Sequence, residues 1–305
     1  MQADSELPSS SKITHRRKVE FFMSSEQVLY IVATPIGHRD DISARAIEVL
    51  RSVDRIYAED TRHSLPLLRY HGIETRVWAL HEHNEVSQIK LVLEHLQKGH
   101  SAALITDAGT PLISDPGFRV VRACQSANIR VSPIPGACAF VSALSVSGLA
   151  TDRFTFVGFA PHKRLARIAW LRSLESLTHT QVLYESPHRI IDCLGDIVDV
   201  FGADREVCIA RELTKRFETV IRGAVGEVLA AVAADANQQR GEFVVLVAGK
   251  PAPSEKIATS DLSLDATLRV LLEHLPVKTA AKAAADIFSV NKRTAYERAL
   301  VLQGK

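Results

Sequence analysis

The sequence lacks the patterns that mark metal sites, disulfide-rich folds and membrane segments. Its 305 residues include four scattered cysteines, Cys124, Cys138, Cys193 and Cys208, with no C-x-x-C pair and no Cys/His ligand spacing. We therefore expect neither a disulfide framework nor a metal site. No apolar run reaches the roughly 18 residues of a membrane helix, and the N-terminus has no apolar signal core. These absences predict a cytoplasmic protein that makes no membrane contact.

The signatures of several large enzyme classes are also missing. No G-x-G-x-x-G follows the first predicted strand and there is no G-x-x-x-x-G-K-[ST] loop, which argues against a dinucleotide oxidoreductase and a P-loop NTPase. The G-x-S-x-G elbow of the α/β hydrolases is absent too. Because the formal net charge is only +2, any binding to nucleic acid must come from local basic patches.

What the sequence does contain is a regular alternation of predicted strands and helices. The strands are predicted at 28–33, 55–58, 77–80, 102–105 and 129–132, and again at 154–159, 180–184, 206–210 and 243–248. Strands that alternate with helices predict an α/β fold. We expect two α/β domains with mostly parallel sheets, divided near residue 150.

The chain is therefore predicted to have five segments. Residues 1–27 are polar and basic and are expected to form a disordered or weakly ordered extension. The two α/β domains span 28–150 and 151–250, and 251–261 is predicted to be a linker because it holds two Pro and two Ser. Residues 262–305 are helical, with a turn at 289–291. Since 277–305 carry six basic and two acidic side chains, this segment is either a helix-turn-helix-like module or a solvated packing bundle.

Loops rich in Gly, Pro or charge follow most of the predicted strands. The longest spans 106–117 and contains two Asp, two Gly and two Pro. Ordinary loops of this type run about 2–6 residues, and this one is about twice as long. The others lie at 34–37, 59–62, 133–138, 185–189 and 211–215. Open α/β sheets bind ligands beyond the carboxyl ends of their strands, so we predict a cleft between the two domains.

The same loops carry a resemblance to a known family. Residues 34–37, 58–62, 107–117, 135–137, 184–189 and 211–215 resemble, in order and spacing, the tetrapyrrole methylase-like, class III S-adenosylmethionine-dependent methyltransferases, and among them those that methylate small-subunit ribosomal RNA. The resemblance covers residues 28–250, and the helical tail resembles that family's C-terminal module. It implies 2′-O-methylation of a cytidine of 16S rRNA, as naked RNA or in the assembled small ribosomal subunit. It also implies a homodimer with S-adenosyl-L-methionine in the cleft.

The family's motifs imply a set of cofactor-binding residues. These are Pro35, Thr110, Pro111, Ile113, Ser114, Ala137, Cys138 and Tyr184. Cys138 and Thr106 stand where the family commonly has Ser, and both changes keep the size of the side chain. Asp107 and Asp115 are expected to brace the long loop and not to take part in the chemistry.

A ribose 2′-hydroxyl is a poor nucleophile that needs its proton removed or its alkoxide stabilised. The loops offer both acidic and basic candidates for this step: Glu59, Asp60, Glu185, Glu212, Arg62, Arg189, Arg211 and Lys215. Our hypothesis is that Glu59 or Glu185 assists the hydroxyl and that Arg62 and Arg211 hold phosphate. Lys215 is a further catalytic candidate, if desolvation and cationic neighbours lower its pKa. Each of these groups could instead form a salt bridge that shapes its loop.

Two alternative functions remain open from the residues alone. One is a tetrapyrrole C-methyltransferase of the same fold, and the other is a non-catalytic ribosome-binding module. A basic segment with His162, Lys163, Arg164, Arg167 and Arg172 would track an RNA backbone or form a solvated helix face. In the RNA-methylating case, the target nucleotide has to leave its stack to enter a cleft.

Overall fold

The computed structural model describes residues 27–81, 84–251 and 263–303. The predicted extension at 1–27 and the predicted linker at 251–261 lie outside these residues, apart from Gln27 and Pro251. The described chain forms two compact units, one of residues 27–81, 84–175 and 179–248 and one of residues 176–178, 249–251 and 263–303. Within the described residues, no helix is both long enough and apolar enough to cross a membrane.

The first half of the larger unit is a five-stranded sheet with helices on its faces. Its strands are β1 (Val28–Val32), β2 (Arg55–Ala58), β3 (Val77–Ala79), β4 (Ser101–Ile105) and β5 (Arg130–Ile134). Its helices are α1 (Ala44–Ser52), α2 (Thr61–Tyr70), α3 (Glu85–Gln97), α4 (Phe118–Ser126) and α5 (Ala139–Ser147). The order is β3-β2-β4-β1-β5 and every pairing is parallel, as predicted. The loops that follow these strands therefore lie at one edge of the sheet.

A second five-stranded sheet follows along the chain. Its strands are β6 (Phe154–Phe159), β7 (Thr180–Glu185), β8 (Glu206–Arg211), β9 (Thr219–Ala224) and β10 (Phe243–Val247), in the order β6-β7-β10-β8-β9. Its helices are α6 (Arg164–Leu174), α7 (Ile190–Phe201) and α8 (Val225–Ala234). The α/β class is as predicted.

The strand directions of the second sheet differ from the prediction of a mostly parallel sheet. β6 and β7 pair in parallel, whereas β7–β10, β10–β8 and β8–β9 are antiparallel. The strand β9, which was not predicted, folds back on β8 through the short connection at 212–218, and β10 then enters between β7 and β8. Apolar periodicity locates a strand but does not give its direction. As a result, β10 begins at the edge where β7 and β8 end.

The helix α5 joins the two halves. It follows β5 of the first sheet but packs on β7, β8, β9 and β10 of the second. Ile36 and Leu144 of the first half share one apolar cluster with Cys208 and Leu246 of the second. The predicted boundary near residue 150 falls between α5 and β6, and the division into separate domains stays a prediction.

The smaller unit contains three helices, α9 (Leu264–His274), α10 (Val277–Phe288) and α11 (Lys292–Leu302). Ser289 adopts a left-handed conformation with φ of 50° and ends α10, and the Asn291 side chain accepts the Arg293 N–H to begin α11. The core consists largely of alanines around Leu268, which lets the helices approach closely. The turn at 289–291 lies where the sequence predicts it.

Candidate active site

A cavity of about 400 Å³ lies where the strand-end loops of the first sheet meet the ends of β7 and β8. The first half contributes Ile36, Glu59, Asp107, Ala108, Gly109, Thr110, Ile113, Ser114, Asp115, Cys138 and Ala139. The second half contributes Phe159, Tyr184, Glu185, Ser186, Pro187, Ala210, Leu213, Glu242, Phe243 and Val244. Residues of both halves therefore line one cavity, and a cofactor cleft between two domains stays a prediction.

Hydrogen bonds fix the three loops that follow β1, β4 and β5. Thr34 and Gly109 form an isolated β-bridge, with N–H···O distances of 2.8 and 3.1 Å. The Thr34 hydroxyl also donates to the Thr106 carbonyl at 3.1 Å. The Thr110 hydroxyl donates to the Ala137 carbonyl at 2.9 Å. These bonds hold the three loops as one framework on one side of the cavity.

The long loop after β4 also contains several strained backbone positions. Leu112 and Ser114 have positive φ values of 74° and 65°, which non-glycine residues adopt rarely. Each such position costs about 1–3 kcal/mol, and positions of this kind cluster at ligand sites. At Gly117, with φ of 122°, an added Cβ would lie 2.6 Å from the Leu104 side chain. The loop is therefore held in one shape by its surroundings.

The loop after β1 packs directly against the loop after β8. A Cβ on Gly37 would lie 2.6 Å from Lys215 Cγ and 2.8 Å from the Leu213 carbonyl oxygen. The His38 N–H donates to the Thr214 hydroxyl at 3.0 Å. Glycine is required at position 37 for this close approach, which brings Leu213 to the cavity.

The charges on the cavity lining are acidic. The described lining residues include Glu59, Asp107, Asp115, Glu185 and Glu242, and none of them is Lys, Arg or His. Such a lining creates a negative potential that favours a cationic ligand. Within the described part of the chain, no group of three or more His, Cys, Asp or Glu is arranged to hold a metal ion.

The hydroxyl of Thr106 lies beside the carboxyl groups of both Asp115 and Glu59. The Thr106 hydroxyl donates to Glu59 Oε2 at 2.9 Å and also hydrogen-bonds with the Asp115 carboxyl. The pKa of Asp115 is raised to about 7, mainly by burial and also by the charges of Glu59 and Asp107, while the Thr106 hydrogen bond opposes the shift. Asp115 is therefore about half protonated at neutral pH.

The second acidic candidate, Glu185, is held by its own loop. Its side chain is buried, and Oε1 accepts the Ser186 N–H at 2.7 Å and pairs with the Arg189 guanidinium. Arg189 also donates to the Ala160 carbonyl at 3.1 Å. Glu185 therefore lines the cavity and links β7 to the segment that follows β6.

Two family models match this sequence. The model described as Tetrapyrrole (Corrin/Porphyrin) Methylases matches residues 28–229, which include the framework loops and most of the cavity. The chain belongs to the tetrapyrrole methylase family. The family is one of methyltransferases, so the chain is an enzyme of that class. A second model, described as the RsmI C-terminal HTH domain, matches residues 258–303.

Curated relatives in this family are similar over nearly their whole length. A protein of Pseudomonas aeruginosa named Ribosomal RNA small subunit methyltransferase I is 50% identical over 92% of this chain and 99% of its own. A protein of the same name from Escherichia coli O157:H7 is 49% identical over 92% of this chain and 97% of its own. The resemblance stated from the loop motifs is confirmed.

Solved structures show the fold of the methylase region. The uroporphyrin-III-C-methyltransferase of Thermus thermophilus has a TM-score of 0.52 and 16% identity, and the match covers 73% of this chain and 94% of that one. The cobalt precorrin-4 methyltransferase has a TM-score of 0.53 at 15% identity, over 73% of this chain and 95% of that one. At this identity the likeness establishes the fold alone.

Five of the eight family-implied cofactor residues line the cavity. These are Thr110, Ile113, Ser114, Cys138 and Tyr184. Pro35, Pro111 and Ala137 are not among the described lining residues, although the Ala137 carbonyl accepts the Thr110 hydroxyl. The assignment of all eight to the cofactor stays a prediction.

The three basic catalytic candidates are not among the described lining residues. Arg62 pairs with Asp60 at 2.7 Å while its side chain is 89% exposed, and hydrogen bonds from Arg62 lower the pKa of Asp60 to about 2. Arg211 is buried and donates to the carbonyls of Arg240 at 2.6 Å and Phe217 at 3.0 Å. A phosphate-binding role for Arg62 and Arg211 stays a prediction.

Lys215 does not have the lowered pKa that was expected of it as a catalytic base. It donates to Glu212 at 3.0 Å and to Glu242 at 2.9 Å. Burial lowers the pKa of Lys215, but the hydrogen bonds and charges of these two carboxylates outweigh burial and raise the pKa overall. Lys215 therefore stays protonated at neutral pH.

Sequence reasoning missed several cavity residues. Glu242, Phe243 and Val244 reach the cavity because β10 is antiparallel to β7 and β8. Phe159 was placed in a predicted strand, but no role in the site was predicted for it. A hairpin formed by β8 and β9 could have been predicted from the short segment 212–218. This segment is rich in charged residues and lies between two segments that contain β-branched residues.

The basic segment that begins at His162 is largely occupied by ion pairs. Arg164 pairs with Asp196 at 2.9 Å and with Asp199 at 2.8 Å. Arg167 is buried against Asp196, at 2.7 Å. His162, Lys163 and Arg172 are exposed. Fewer of these basic side chains are therefore free of ion pairs than the sequence suggests. Two of the exposed ones, His162 and Lys163, lie near the end of β6.

The raised pKa of Asp115 gives a stability prediction. Its folded-state pKa of about 7 lies above its ordinary value of 3.8. The folded state therefore binds the proton more tightly than the unfolded state, and this contribution is lost as the pH rises from 4 through 7. We expect Asp115→Asn, which stays neutral, to be more stable than the wild type at pH 8 by about 2 kcal/mol after allowance for solvent screening.

Urea unfolding at pH 5 and pH 8 measures this difference. The gain from Asp115→Asn should be smaller at pH 5 than at pH 8, and the exposed Asp152→Asn control should follow the wild type at both values. An equal effect of Asp115→Asn at the two pH values would contradict the assignment.

Proposed function

We propose that this chain transfers a methyl group from S-adenosyl-L-methionine to the ribose 2′-hydroxyl of a cytidine in 16S rRNA, in the cytoplasm. The observation that carries the proposal is the acidic cavity, in a chain whose relatives at 49–50% identity are named Ribosomal RNA small subunit methyltransferase I. The identity of the cofactor, the 2′-oxygen as the acceptor atom and the cytidine as the target are inferred from the loop resemblance and from the chemistry of the site.

The residues of the cavity fit this cofactor. A sulfonium and an ammonium group are both cationic, and the carboxylates of Glu59, Asp107 and Asp115 have no basic lining residue beside them among the described ones. Buried Ile36 and Val244 supply apolar surface for an adenosine. The volume of about 400 Å³ lies within the roughly 300–1,000 Å³ of ligand pockets. When bound, the cofactor would supply an electrophilic methyl group.

The framework loops would hold the cofactor mainly through backbone groups. Thr110, Ile113 and Ser114 come from the strained loop, Cys138 from the loop after β5, and Tyr184 from β7. Pro35, Pro111 and Ala137 would fix the shape of these loops. A loop held rigid before binding loses little conformational freedom on binding, and it aligns the nucleophile with the transferred carbon.

Of the two acidic catalytic candidates, we propose Glu59 as the group that accepts the proton of the 2′-hydroxyl. The Thr106 hydroxyl orients its carboxylate, and Asp115 beside it is about half protonated at neutral pH. Glu185 is already engaged by Arg189 and Ser186, so we assign it to positioning. Lys215 would order the Glu212 and Glu242 side chains, Arg62 would meet a phosphate, and Arg211 would support the β8–β9 turn.

Replacement of Glu59 tests this assignment. General-base catalysis typically contributes about 10²–10⁴-fold, so Glu59→Gln should lower kcat by that order. Binding of the cofactor, measured by calorimetry, should change much less. The exposed Glu48→Gln, on α1 and not among the lining residues, serves as the control and should keep most of its turnover. If Glu59→Gln binds the cofactor and keeps full turnover, the assignment of Glu59 as the proton acceptor is contradicted.

A labelling experiment tests the function as a whole. Purified protein and methyl-labelled cofactor are incubated with small ribosomal subunits that lack the modification, and in parallel reactions with naked 16S rRNA or with a tetrapyrrole. We expect label in one cytidine ribose, located by nucleotide mapping. Label in a tetrapyrrole and not in RNA would support the tetrapyrrole C-methyltransferase. Binding to subunits without any label would support the non-catalytic module.

We also propose that the enzyme is a homodimer. Val141 and Val146 on α5 are each 51% exposed, and Phe154 and Val220 of the adjacent sheet are exposed as well. Apolar residues in contact with one another at a surface are typical of protein interfaces. Light scattering should give the mass of two chains, and Val141→Lys should shift it towards that of one. A monomeric wild type would contradict this proposal.

A further inference from the structure

Phe159 lines the cavity and is also exposed to solvent. The exposed fraction of its side chain is 53%. Several other apolar lining residues, such as Ile36, Leu213 and Val244, are buried. Phe159 therefore lies at the opening of the cavity, with part of its ring accessible from solvent.

The backbone at this point directs the ring towards the opening. The register between β6 and β7 shifts between Phe156 and Phe159, and Gly158 has a φ of 68°. A Cβ built on Gly158 would lie 3.9 Å from Ser114 Oγ, so the shifted strand faces the strained loop of the first half. Irregularities of this kind occur next to active sites, where they change the direction of a side chain.

The ring of Phe159 is supported from behind. Its centroid lies 5.5 Å from that of Tyr184 at an interplanar angle of 61°, an edge-to-face contact. The next residue, Ala160, is buried, and its carbonyl accepts the Arg189 guanidinium at 3.1 Å. Phe159 is therefore a fixed aromatic surface and not a mobile loop side chain.

The lining of the cavity is acidic, whereas an exposed lysine follows Phe159 closely in the chain. Glu59, Asp107 and Asp115 line the cavity, and their negative charge repels a phosphate. His162 and Lys163, three and four residues after Phe159, are exposed, and Lys163 supplies a positive charge. Single-stranded nucleic acid is typically bound by an aromatic ring under a base together with positive charge near the backbone.

We propose that Phe159 is the stacking surface for the base of the target nucleotide after it leaves its stack in the RNA. The base lies on the exposed part of the ring, the ribose enters the cavity, and the flanking phosphates stay outside, near His162 and Lys163. This inference rests on the proposed function and adds to it a substrate-positioning residue. Since every base has a π-face, the contact places the nucleotide without selecting its identity.

Three variants test the proposal in the full-length enzyme. Stacking of one base is worth about 1–3 kcal/mol, so Phe159→Ala should lower kcat/KM for the RNA substrate about 5- to 150-fold. Phe159→Trp should restore it to within about threefold of the wild type. Phe217→Ala is the matched control, because Phe217 is 62% exposed beside a basic residue, Arg216, but does not line the cavity. It should behave as the wild type.

Cofactor affinity and thermal stability are measured for every variant. We expect the dissociation constant for S-adenosyl-L-methionine to stay within about twofold of the wild type. An unchanged kcat/KM in Phe159→Ala would overturn the proposal. A parallel loss of cofactor affinity would overturn it as well, because the ring would then contact the cofactor. If the wild type methylates no RNA, the proposed function itself fails, and that result is distinct from both.

Discussion

The β-bridge between Thr34 and Gly109 is the interaction on which the site depends. It joins the loops after β1 and β4, two strands that are adjacent in the sheet although more than 70 residues apart in sequence. On one side it fixes the start of the strained loop, which Thr110 then ties to Ala137. On the other side it positions Ile36 and Gly37 against the second half. Two backbone hydrogen bonds thus connect the three framework loops to the second half of the cavity lining.

The cavity needs both halves, and two features of the chain path bring them together. The helix α5 leaves the first sheet and packs on the second, so an apolar cluster is shared between the halves. The antiparallel β10 starts at the edge where β7 and β8 end, which places Glu242, Phe243 and Val244 beside the loops of the first sheet. An all-parallel second sheet would have placed the start of β10 at the far edge.

These features also explain how much the sequence could predict. Every described strand except β9, and the loops that follow the predicted strands, were predicted because apolar periodicity, Gly/Pro content and loop length are local properties. Five of the residues that the resemblance assigns to the cofactor line the cavity, and their role stays a prediction. The direction of β10, the burial of Arg167 against Asp196 and the raised pKa of Asp115 depend on residues distant in sequence. Phe159 was found as a strand residue, but only the shifted register and Gly158 place it at the opening.

Because the cavity is acidic, an RNA substrate has to be bound mainly by groups outside it. Carboxylates that attract a cationic cofactor also repel the phosphates of an RNA, so electrostatic attraction cannot draw the substrate into the cavity itself. An aromatic ring at the opening avoids this conflict, because stacking needs no positive charge. Under the proposed function, the exposed Lys163, four residues after Phe159, would supply positive charge to the RNA backbone. Under the proposed function, an acidic cavity with an aromatic ring at its opening would thus let one enzyme bind a cation and a polyanion together.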